Sequence, residues 1–385
     1  MGSRLHRVDQ GDVDSAILAH CRRVAALAME IGRMAGLPAP FAGPAWDAMG
    51  GSQEDHGSPD GLRQVEELAG IVRLCSLLDQ QFESLQFGYK DLETIFDAVR
   101  ALAGHEGFDP SLVEHFRRMR CREVPRQIRR GEGLPVEARA AREVFRLLGR
   151  DRDYEVRELA LMALRDPVLA GSLIRVANSS LYSPASKLSV VGQAISYIGT
   201  VEARKVMLAA VLRPMFASAG LTRLWSHSVS AAQFGSALIG QTGIGGAEEG
   251  LILGLVHDIG SLAIQFAPRE TREFSARLVE RGCPATYAER LLFGCDHGEI
   301  GADILDRWGF PAHLTEAVRY HHQPERSSGA LAALAYLMEF WQGSDEDLPS
   351  FHRVEHCLAR TGLTLEALAE IRTEDSQLKT LRSFA

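Results

Sequence analysis

The chain has 385 residues, a length that normally forms two or three domains. Hydrophobic residues make up 46% and charged residues 24%, a globular composition that excludes disorder as the main state. Lysine and arginine number 42 against 50 acidic residues, and the resulting net charge of -8 argues against a protein that coats nucleic acid. The six cysteines form no C-x-x-C pair, which argues against a zinc ribbon and favours a reducing compartment.

Helix is the secondary structure that the composition favours. Aromatic residues are only 7% of the chain, while leucine, alanine, arginine and glutamate are abundant. The amino-terminal residues show no apolar signal sequence, and no run of about 18 apolar residues occurs along the chain. We therefore expect an all-α, cytoplasmic protein without a membrane-spanning segment.

Apolar residues recur at steps of three and four along most of the chain, as they do in amphipathic helices. This spacing predicts helices over residues 14–34, 65–86 and 92–103, with a Gly- and Pro-rich loop from Pro38 to Gly61. From Glu137 onward the pattern is almost continuously helical. Breaks are predicted at Asp166–Pro167, Ser183–Pro184, Gly243–Gly246, Gly309–Pro311 and Gln323–Pro324.

The stretch from Arg117 to Arg130 is rich in arginine and interrupted by proline. It is either a polar connector or a patch that binds phosphate groups, and the Gly- and Pro-containing residues 131–135 that follow favour the connector. The predicted architecture is therefore two helical bodies. It comprises a helical domain over residues 1–117, a linker over 118–135, a second domain over 136–345, and a helical tail over 346–385 that packs on the second domain.

Histidines are concentrated in the second half of the chain, and one of them, His257, precedes Asp258 in the apolar run LILGLVHDIGS. An imidazole and a carboxylate inside an apolar helix are costly unless both are satisfied. Near a helix end both side chains can reach one cation or one shared partner. Imidazole with carboxylate is also a ligand set for a divalent metal that keeps positions open for water.

The segment GLVHDIGS resembles the signature of the HD superfamily of metal-dependent phosphohydrolases, and the sequence around it is similar to an HDOD domain over roughly residues 134–341. The motifs that carry this resemblance are Asp166–Pro167, Asn178–Ser179, Ala194–Ile195 with Ile198–Gly199, LWSHS at 224–228, CDHGEIGADILDRWGFP at 295–311 and VRYHHQP at 318–324. The resemblance implies a compact helical bundle similar to HD-GYP phosphodiesterases. It also implies a signalling output module, because the HDOD family is not one of established hydrolases.

The same resemblance implies a set of metal-ligand positions. They are His227, His257, Asp258, His297 and His321, with His322 as the alternative to His321. The sequence also differs from the HD-GYP-like enzymes in three ways. Ser261 replaces a frequent lysine, HHQPERSSG replaces the GYP segment, and no carboxylate stands near Tyr336, where the last ligand is expected.

Two interpretations of these residues follow. They hold a divalent metal such as iron, manganese or zinc, or they form a vestigial polar core in which histidine and aspartate hydrogen-bond one another. A missing carboxylate leaves cationic charge uncompensated, which favours the vestigial core, with no catalytic residue and no cofactor. The prediction is then a bacterial regulatory protein that contacts other signalling proteins or a nucleotide second messenger, without binding nucleic acid. The alternative is a metal-dependent phosphohydrolase acting on a nucleotide or cyclic dinucleotide.

The first body resembles two parts of an HD-GYP domain. Residues 19–37 are similar to its opening helix, with His20 at a metal-ligand position. Residues 71–116 are similar to its closing part, with Asp79 at the last ligand position. The middle of such a domain, with its own His-Asp pair, has no counterpart. The resemblance implies a truncated, degenerate unit that cannot hold a metal.

Overall fold

The computed structural model describes residues 20, 22–31, 70–76, 78–79, 97, 154–213, 221–342 and 351–371. Helices are numbered here from the first one whose two ends both lie in these ranges. They are α1 Val156–Ala163, α2 Pro167–Ala177, α3 Val191–Ile198, α4 Thr200–Leu212, α5 Thr222–Thr242, α6 Ala247–Val256, α7 Ile259–Ile264, α8 Arg269–Glu280, α9 Ala285–Phe293, α10 His297–Arg307, α11 Ala312–Arg319, α12 Ala330–Gln342, α13 Phe351–Thr361 and α14 Leu365–Glu370, with a 3₁₀ turn at Pro324–Arg326. No strand occurs in the described residues, so the predicted all-α class is confirmed.

The predicted breaks between helices are confirmed, and each has a local cause. Asp166 caps α2 because its carboxylate accepts a hydrogen bond from the Val168 N–H at 2.7 Å, and Pro167 supplies the first helical residue. Gly243 ends α5 with a φ of 64°, a left-handed conformation that favours glycine. The predicted loop Pro38–Gly61 and the arginine-rich stretch Arg117–Arg130 lie outside the described residues.

Asn178 fixes the loop that leads from α2 to α3. Its side-chain amide donates to the carbonyls of Ile174 and Leu188, at 2.8 Å each, and its side-chain oxygen accepts from the Leu188 N–H at 2.8 Å. Three hydrogen bonds from one amide close a ten-residue loop without any regular secondary structure. The residue therefore defines the path of this loop.

The chain divides into two units. The first comprises residues 1–125, 267–296 and 345–352, and the second comprises residues 126–266, 297–344 and 353–385. The segment that carries α8 and α9 groups with the amino-terminal part, an arrangement that the sequence pattern did not indicate. The linker predicted over residues 118–135 is not among the described residues, so the domain boundaries stay predictions.

The first unit has an apolar core with buried ion pairs. Leu27, Leu74 and Leu78 are fully buried, in the helical stretches 22–31, 70–76 and 78–79. Glu30 is fully buried as well, and its carboxylate accepts hydrogen bonds from the side chains of two α8 residues, Arg277 and Arg281. A buried carboxylate needs such partners, since an unpaired charge would be strongly destabilising.

The second unit begins with α1 to α4, which pack on one another, and continues with a bundle of α5, α6, α7, α10, α11 and α12. Helix α6 lies at the centre of this bundle, and five of its apolar side chains are at least 98% buried: Leu251, Ile252, Leu253, Leu255 and Val256. No helix in the described part of the chain is both long and apolar enough to cross a bilayer.

Glycines allow the helices of this bundle to approach closely. A Cβ on Gly254 of α6 would lie 2.2 Å from the backbone nitrogen of Ala232 in α5. A Cβ on Gly260 of α7 would lie 1.9 Å from the carbonyl oxygen of His297 in α10. These distances are shorter than any van der Waals contact, so only glycine fits at either position. The two contacts bring four helices to backbone distance around the residues between α6 and α7.

We expect Gly260→Ala to lower the free energy of unfolding by about 1–3 kcal/mol, because the added methyl group forces α7 and α10 apart. The matched control is Gly171→Ala in α2, where a Cβ meets nothing within 4 Å. That change should be neutral or stabilising by about 0.5–1 kcal/mol. Chemical denaturation of both variants measures the difference, and equal stabilities would contradict the close packing of α7 on α10.

Candidate metal centre

The His257–Asp258 pair lies where two buried helices meet. His257 is the residue that ends α6, and Asp258 is the residue that precedes α7. Because the chain turns between the helices, the two neighbouring side chains reach one cluster. His257 is fully buried and Asp258 is 9% exposed, so neither charge can be satisfied by bulk water.

Five further side chains complete the cluster. His227 comes from the first half of α5, His297 is the first residue of α10, and His321 and His322 lie in the turn after α11. Glu339 comes from α12. All five positions that the resemblance implied, His227, His257, Asp258, His297 and His321, are therefore brought together, with His322 and Glu339 in addition.

Asp258 divides the cluster into two groups of donor atoms. Its Oδ1 lies 3.3 Å from Nε2 of His297 and 3.7 Å from Nε2 of His321, and His322 Nε2 is 2.8 Å from His297 Nε2. We call these four residues the three-histidine group. Its donor atoms all lie within 4.8 Å of one another, a spacing that one cation can bridge.

The other oxygen of Asp258 faces a second group. Oδ2 lies 3.4 Å from Nε2 of both His227 and His257. Oε1 of Glu339 lies 2.6 Å from Nε2 of His257 and 3.0 Å from Nε2 of His227. We call Asp258, Glu339, His227 and His257 the two-carboxylate group, and its donor atoms are also within 4.8 Å of one another.

Backbone carbonyls orient two of the imidazoles. Nδ1 of His257 donates to the carbonyl oxygen of Gly254 at 2.8 Å, and Nδ1 of His321 donates to that of Val318 at 2.6 Å. A carbonyl only accepts, so the proton of each neutral ring is on Nδ1, and Nε2 presents its lone pair to the cluster. Ligand histidines in metalloproteins are held in the same way.

This orientation leaves acceptor atoms facing one another in the metal-free protein. With its proton on Nδ1, a neutral His257 offers only a lone pair to the Glu339 oxygen at 2.6 Å. Two acceptors at that distance repel unless a proton or a metal ion lies between them. Either a second proton on His257 or a bound cation therefore satisfies the group.

Protons take this place when no metal is bound. Burial lowers the pKa of His257, but the charges of Asp258 and Glu339 outweigh it and raise the pKa well above its usual value. The pKa of His227 is also raised. Burial lowers it, but the hydrogen bond to Glu339 and the charge of Asp258 raise it by more. Burial alone would raise the pKa of Asp258 and of Glu339, but the charge of His257 holds both pKa values well below the usual range.

His321 behaves differently from His257. Burial, together with the neighbouring charge of His322, lowers its pKa from 6.5 to about 4. At neutral pH His321 is therefore an uncharged imidazole with its Nε2 lone pair directed at the cluster. It is ready to bind a cation without first losing a proton.

Glu339 corrects the expectation from sequence that no carboxylate stands at the last ligand position. That position was placed near Tyr336, and Glu339 lies three residues further on, about one turn along the same side of α12. Glu339 is the one charged residue in ALAALAYLMEFWQ, and it is 7% exposed. A lone carboxylate in an otherwise apolar helix was the sequence signal that pointed to it.

In the first unit, His20 and Asp79 also meet. Nδ1 of His20 lies 2.6 Å from Oδ2 of Asp79, the pair that the resemblance matched to a first and a last ligand. Arg23 donates to both oxygens of this buried carboxylate, from Nε at 2.7 Å and from Nη2 at 2.9 Å. A guanidinium thus neutralises Asp79 directly.

The fold and the site together define an HD-like helical bundle with a histidine–carboxylate cluster. Residues 134–324 match the family model of the HDOD domain, and this part of the chain is an HDOD domain. A curated protein from Treponema pallidum, described only as uncharacterized, is 22% identical over 237 residues, which are 57% of this chain and 46% of that protein. The chain thus spans about half the length of that relative.

Solved structures show the same fold. An HDOD domain protein of unknown function from Geobacter sulfurreducens has a TM-score of 0.54 and 24% identity, over 68% of this chain and 96% of that one. A provisionally named phosphohydrolase from Shewanella amazonensis has a TM-score of 0.53 and 19% identity, over 69% and 100%. A provisionally named signal transduction protein from Marinobacter aquaeolei has a TM-score of 0.53 and 21% identity, over 65% and 59%.

The pKa of His321 predicts how the stability of the metal-free protein depends on pH. Because this pKa is lower in the folded state, the unfolded chain binds the proton first, and stability falls as the pH drops from 6.5 towards 4. The full effect is roughly 3 kcal/mol. The raised pKa values of His227 and His257 act above this window, and the lowered ones of Asp258 and Glu339 act only at its acid end, below about 4.5.

Denaturant melts of chelator-treated protein at several pH values measure this slope. His321→Gln should flatten the slope between pH 6.5 and 4.5. A slope that survives in His321→Gln would show that another group titrates in this window.

Proposed function

We propose that this chain is a signalling protein whose HDOD domain holds a pair of divalent metal ions in the histidine–carboxylate cluster and hydrolyses a phosphoester. The observation that carries the proposal is Glu339. Without a carboxylate at that position, the positive charge of bound metal ions would not be compensated. This was the argument for a vestigial polar core. Glu339 reverses the argument, because it places a second carboxylate on His227 and His257.

The donor set suits divalent transition metals. The three-histidine group offers three imidazoles and one carboxylate oxygen, and the two-carboxylate group offers two imidazoles and two carboxylate oxygens. Iron, manganese and zinc accept such mixtures of nitrogen and oxygen ligands. A pair of metal ions would supply Lewis-acid activation of water and of a phosphoester oxygen.

Charge supports a role with phosphate. Asp258 and Glu339 together neutralise one divalent ion, since their lowered pKa values keep both ionised. A second ion leaves the cluster with an excess of positive charge. A hydroxide and a phosphate oxygen are the anions that compensate such an excess in two-metal sites.

Access is favoured on the side of His227. Its side chain is 24% exposed, that of Asp258 is 12% exposed, and those of His257 and His321 are fully buried. His257 and His321 would thus anchor the metals, while the edge formed by His227 and Asp258 would face the substrate. A nucleotide or cyclic dinucleotide is the substrate class that the resemblance implies.

The second candidate is a metal-bound output module without turnover. The near-complete burial of the ligands favours it, because a substrate needs a wider opening than His227 alone provides. In this role the metal stabilises the fold, and the protein acts through other signalling proteins or a bound second messenger. Direct binding of nucleic acid is not part of either candidate.

We also infer that residues 1–117, which lie in the first unit, are a degenerate HD-GYP-like domain. The contact between His20 and Asp79 supports this relationship, because the resemblance matched them to the first and last ligands. Arg23 supports the loss of metal binding, because its guanidinium already neutralises Asp79. Whether residues 118–135 form the linker between the domains stays a prediction that limited trypsin digestion tests.

Protein purified without chelator should contain about two divalent ions per chain by elemental analysis. Glu339→Gln removes one charge of the two-carboxylate group and should lower the content by about one ion. Glu355→Gln, at an exposed glutamate of α13, is the matched control and should keep the wild-type content. Protein without metal, even after dialysis against iron or manganese, would contradict the proposal.

Metal-loaded protein should hydrolyse at least one member of a panel of cyclic dinucleotides and nucleotide phosphoesters. His257→Ala should abolish this turnover, because it removes a buried ligand of the two-carboxylate group. Stoichiometric metal with no turnover on the panel would favour the output module over the hydrolase.

A further inference from the structure

The segment between α11 and α12 connects three of the cluster residues. His321 and His322 lie at its start, and Glu339 follows in α12. The position of this segment therefore affects both groups of donor atoms. Its residues 323–329 comprise the 3₁₀ turn Pro324–Arg326 and a stretch without regular structure up to Gly329.

Glu316 of α11 holds the segment from one side. Its Oε1 accepts hydrogen bonds from the Ser327 hydroxyl at 2.8 Å and from the Ser328 N–H at 2.9 Å. The Ser327 hydroxyl also accepts from the Gly329 N–H at 3.0 Å. These bonds fix the amide and hydroxyl groups of the segment, and they leave the carbonyl oxygens of Ser327 and Ser328 to other donors.

Helix α13 supplies those donors from the tail of the chain. Arg360 donates from Nη1 to the Ser327 carbonyl at 2.7 Å and from Nη2 to the Ser328 carbonyl at 2.6 Å. One guanidinium thus holds two consecutive peptide groups. A planar fork with fixed donor directions is suited to this arrangement, and a single ammonium is less so.

A second arginine of α13 binds the segment at its 3₁₀ turn. Arg353 donates to both carboxylate oxygens of Glu325, at 3.1 and 2.9 Å. Its guanidinium also lies 5.8 Å from the ring centroid of Tyr336, about one turn before Glu339 in α12. Arg353 and Arg360 are seven residues apart and therefore share one face of the helix.

Helix α13 is packed independently of these two arginines. Cys357 is fully buried, and Val354 and Thr361 are more than 90% buried. Removal of an arginine side chain should thus leave the helix in place while releasing the segment. This separates a positioning role from a general contribution to stability.

We propose that Arg353 and Arg360 are positioning residues of the metal centre: they hold the segment 323–329 so that His321, His322 and Glu339 converge. This inference rests on the proposed metal binding. The arginines touch neither metal nor substrate and act through the backbone of Ser327 and Ser328 and the carboxylate of Glu325.

Cobalt binding by the full-length, chelator-treated protein tests the proposal. The probe is Co²⁺ alone, whose visible absorption reports the number and geometry of its ligands. We expect Arg360→Ala to weaken Co²⁺ binding about tenfold and to change the spectrum, as removal of outer partners of ligands does in other metal sites. Arg360→Lys should restore part of the affinity, since a lysine reaches one carbonyl with its ammonium.

Arg269→Ala is the control, because it breaks an arginine–glutamate pair on the exposed surface of α8, in the other unit. It should bind Co²⁺ like the wild type. Glu325→Gln provides a second variant should Arg360→Ala fail to fold, and it should weaken binding in the same direction. A merely structural role would lower the thermal stability of the metal-free variants with no change in Co²⁺ affinity or spectrum.

Two results would overturn the inference, and they differ in what they say about the proposed function. Wild-type affinity and spectrum in folded Arg360→Ala and Glu325→Gln would refute the positioning role and leave metal binding intact. A wild-type protein that binds no Co²⁺ would refute metal binding and the positioning role together.

Discussion

Asp258 is a carboxylate surrounded by imidazoles at the centre of an apolar bundle, and the arrangement of the second unit follows from the need to satisfy it. An isolated charge at this depth would be strongly destabilising. One oxygen of Asp258 faces His297 and His321, and the other faces His227 and His257. Side chains from separate helices can meet on one carboxylate only if the helices approach one another closely.

The close approach is achieved by glycine. Gly254 lies against Ala232 of α5, and its own carbonyl accepts the Nδ1 proton of His257. Gly260 lies against the carbonyl of His297, so the start of α10 is held next to the start of α7. The residues that permit helix packing are thus the same as, or adjacent to, those that orient the imidazoles. Packing and site geometry cannot be changed separately in this part of the protein.

Much of the fold can be predicted from the sequence because its signals are local. Asp166 before Pro167 marks a helix start, and Gly243 marks a helix end, whatever the rest of the chain does. Five of the cluster residues were matched by motifs in their own short segments, and the structure brings these five together. Glu339 was missed because the expected position was assigned by spacing along α12, and one helical turn separates Tyr336 from Glu339.

Other features depend on contacts between distant segments, which periodicity does not report. The grouping of residues 267–296 with the amino-terminal part is one example, since Glu30 meets Arg277 across 247 residues of chain. The hydrogen bonds from Arg360 to the carbonyls of Ser327 and Ser328 are another example. An arginine in a surface helix has no distinctive spacing, so neither its partners nor their link to His321 can be read from the sequence.

The two units neutralise their buried carboxylates in different ways, and the difference bears on function. In the first unit Asp79 contacts His20, but it is also paired with the guanidinium of Arg23, which stays protonated at any physiological pH. In the second unit Asp258 and Glu339 are paired with imidazoles, which can lose their protons. A cation that is part of the chain cannot be exchanged, whereas protons on His227 and His257 can be replaced by a metal ion. An exchangeable counter-charge is what the metal binding proposed for the second unit requires.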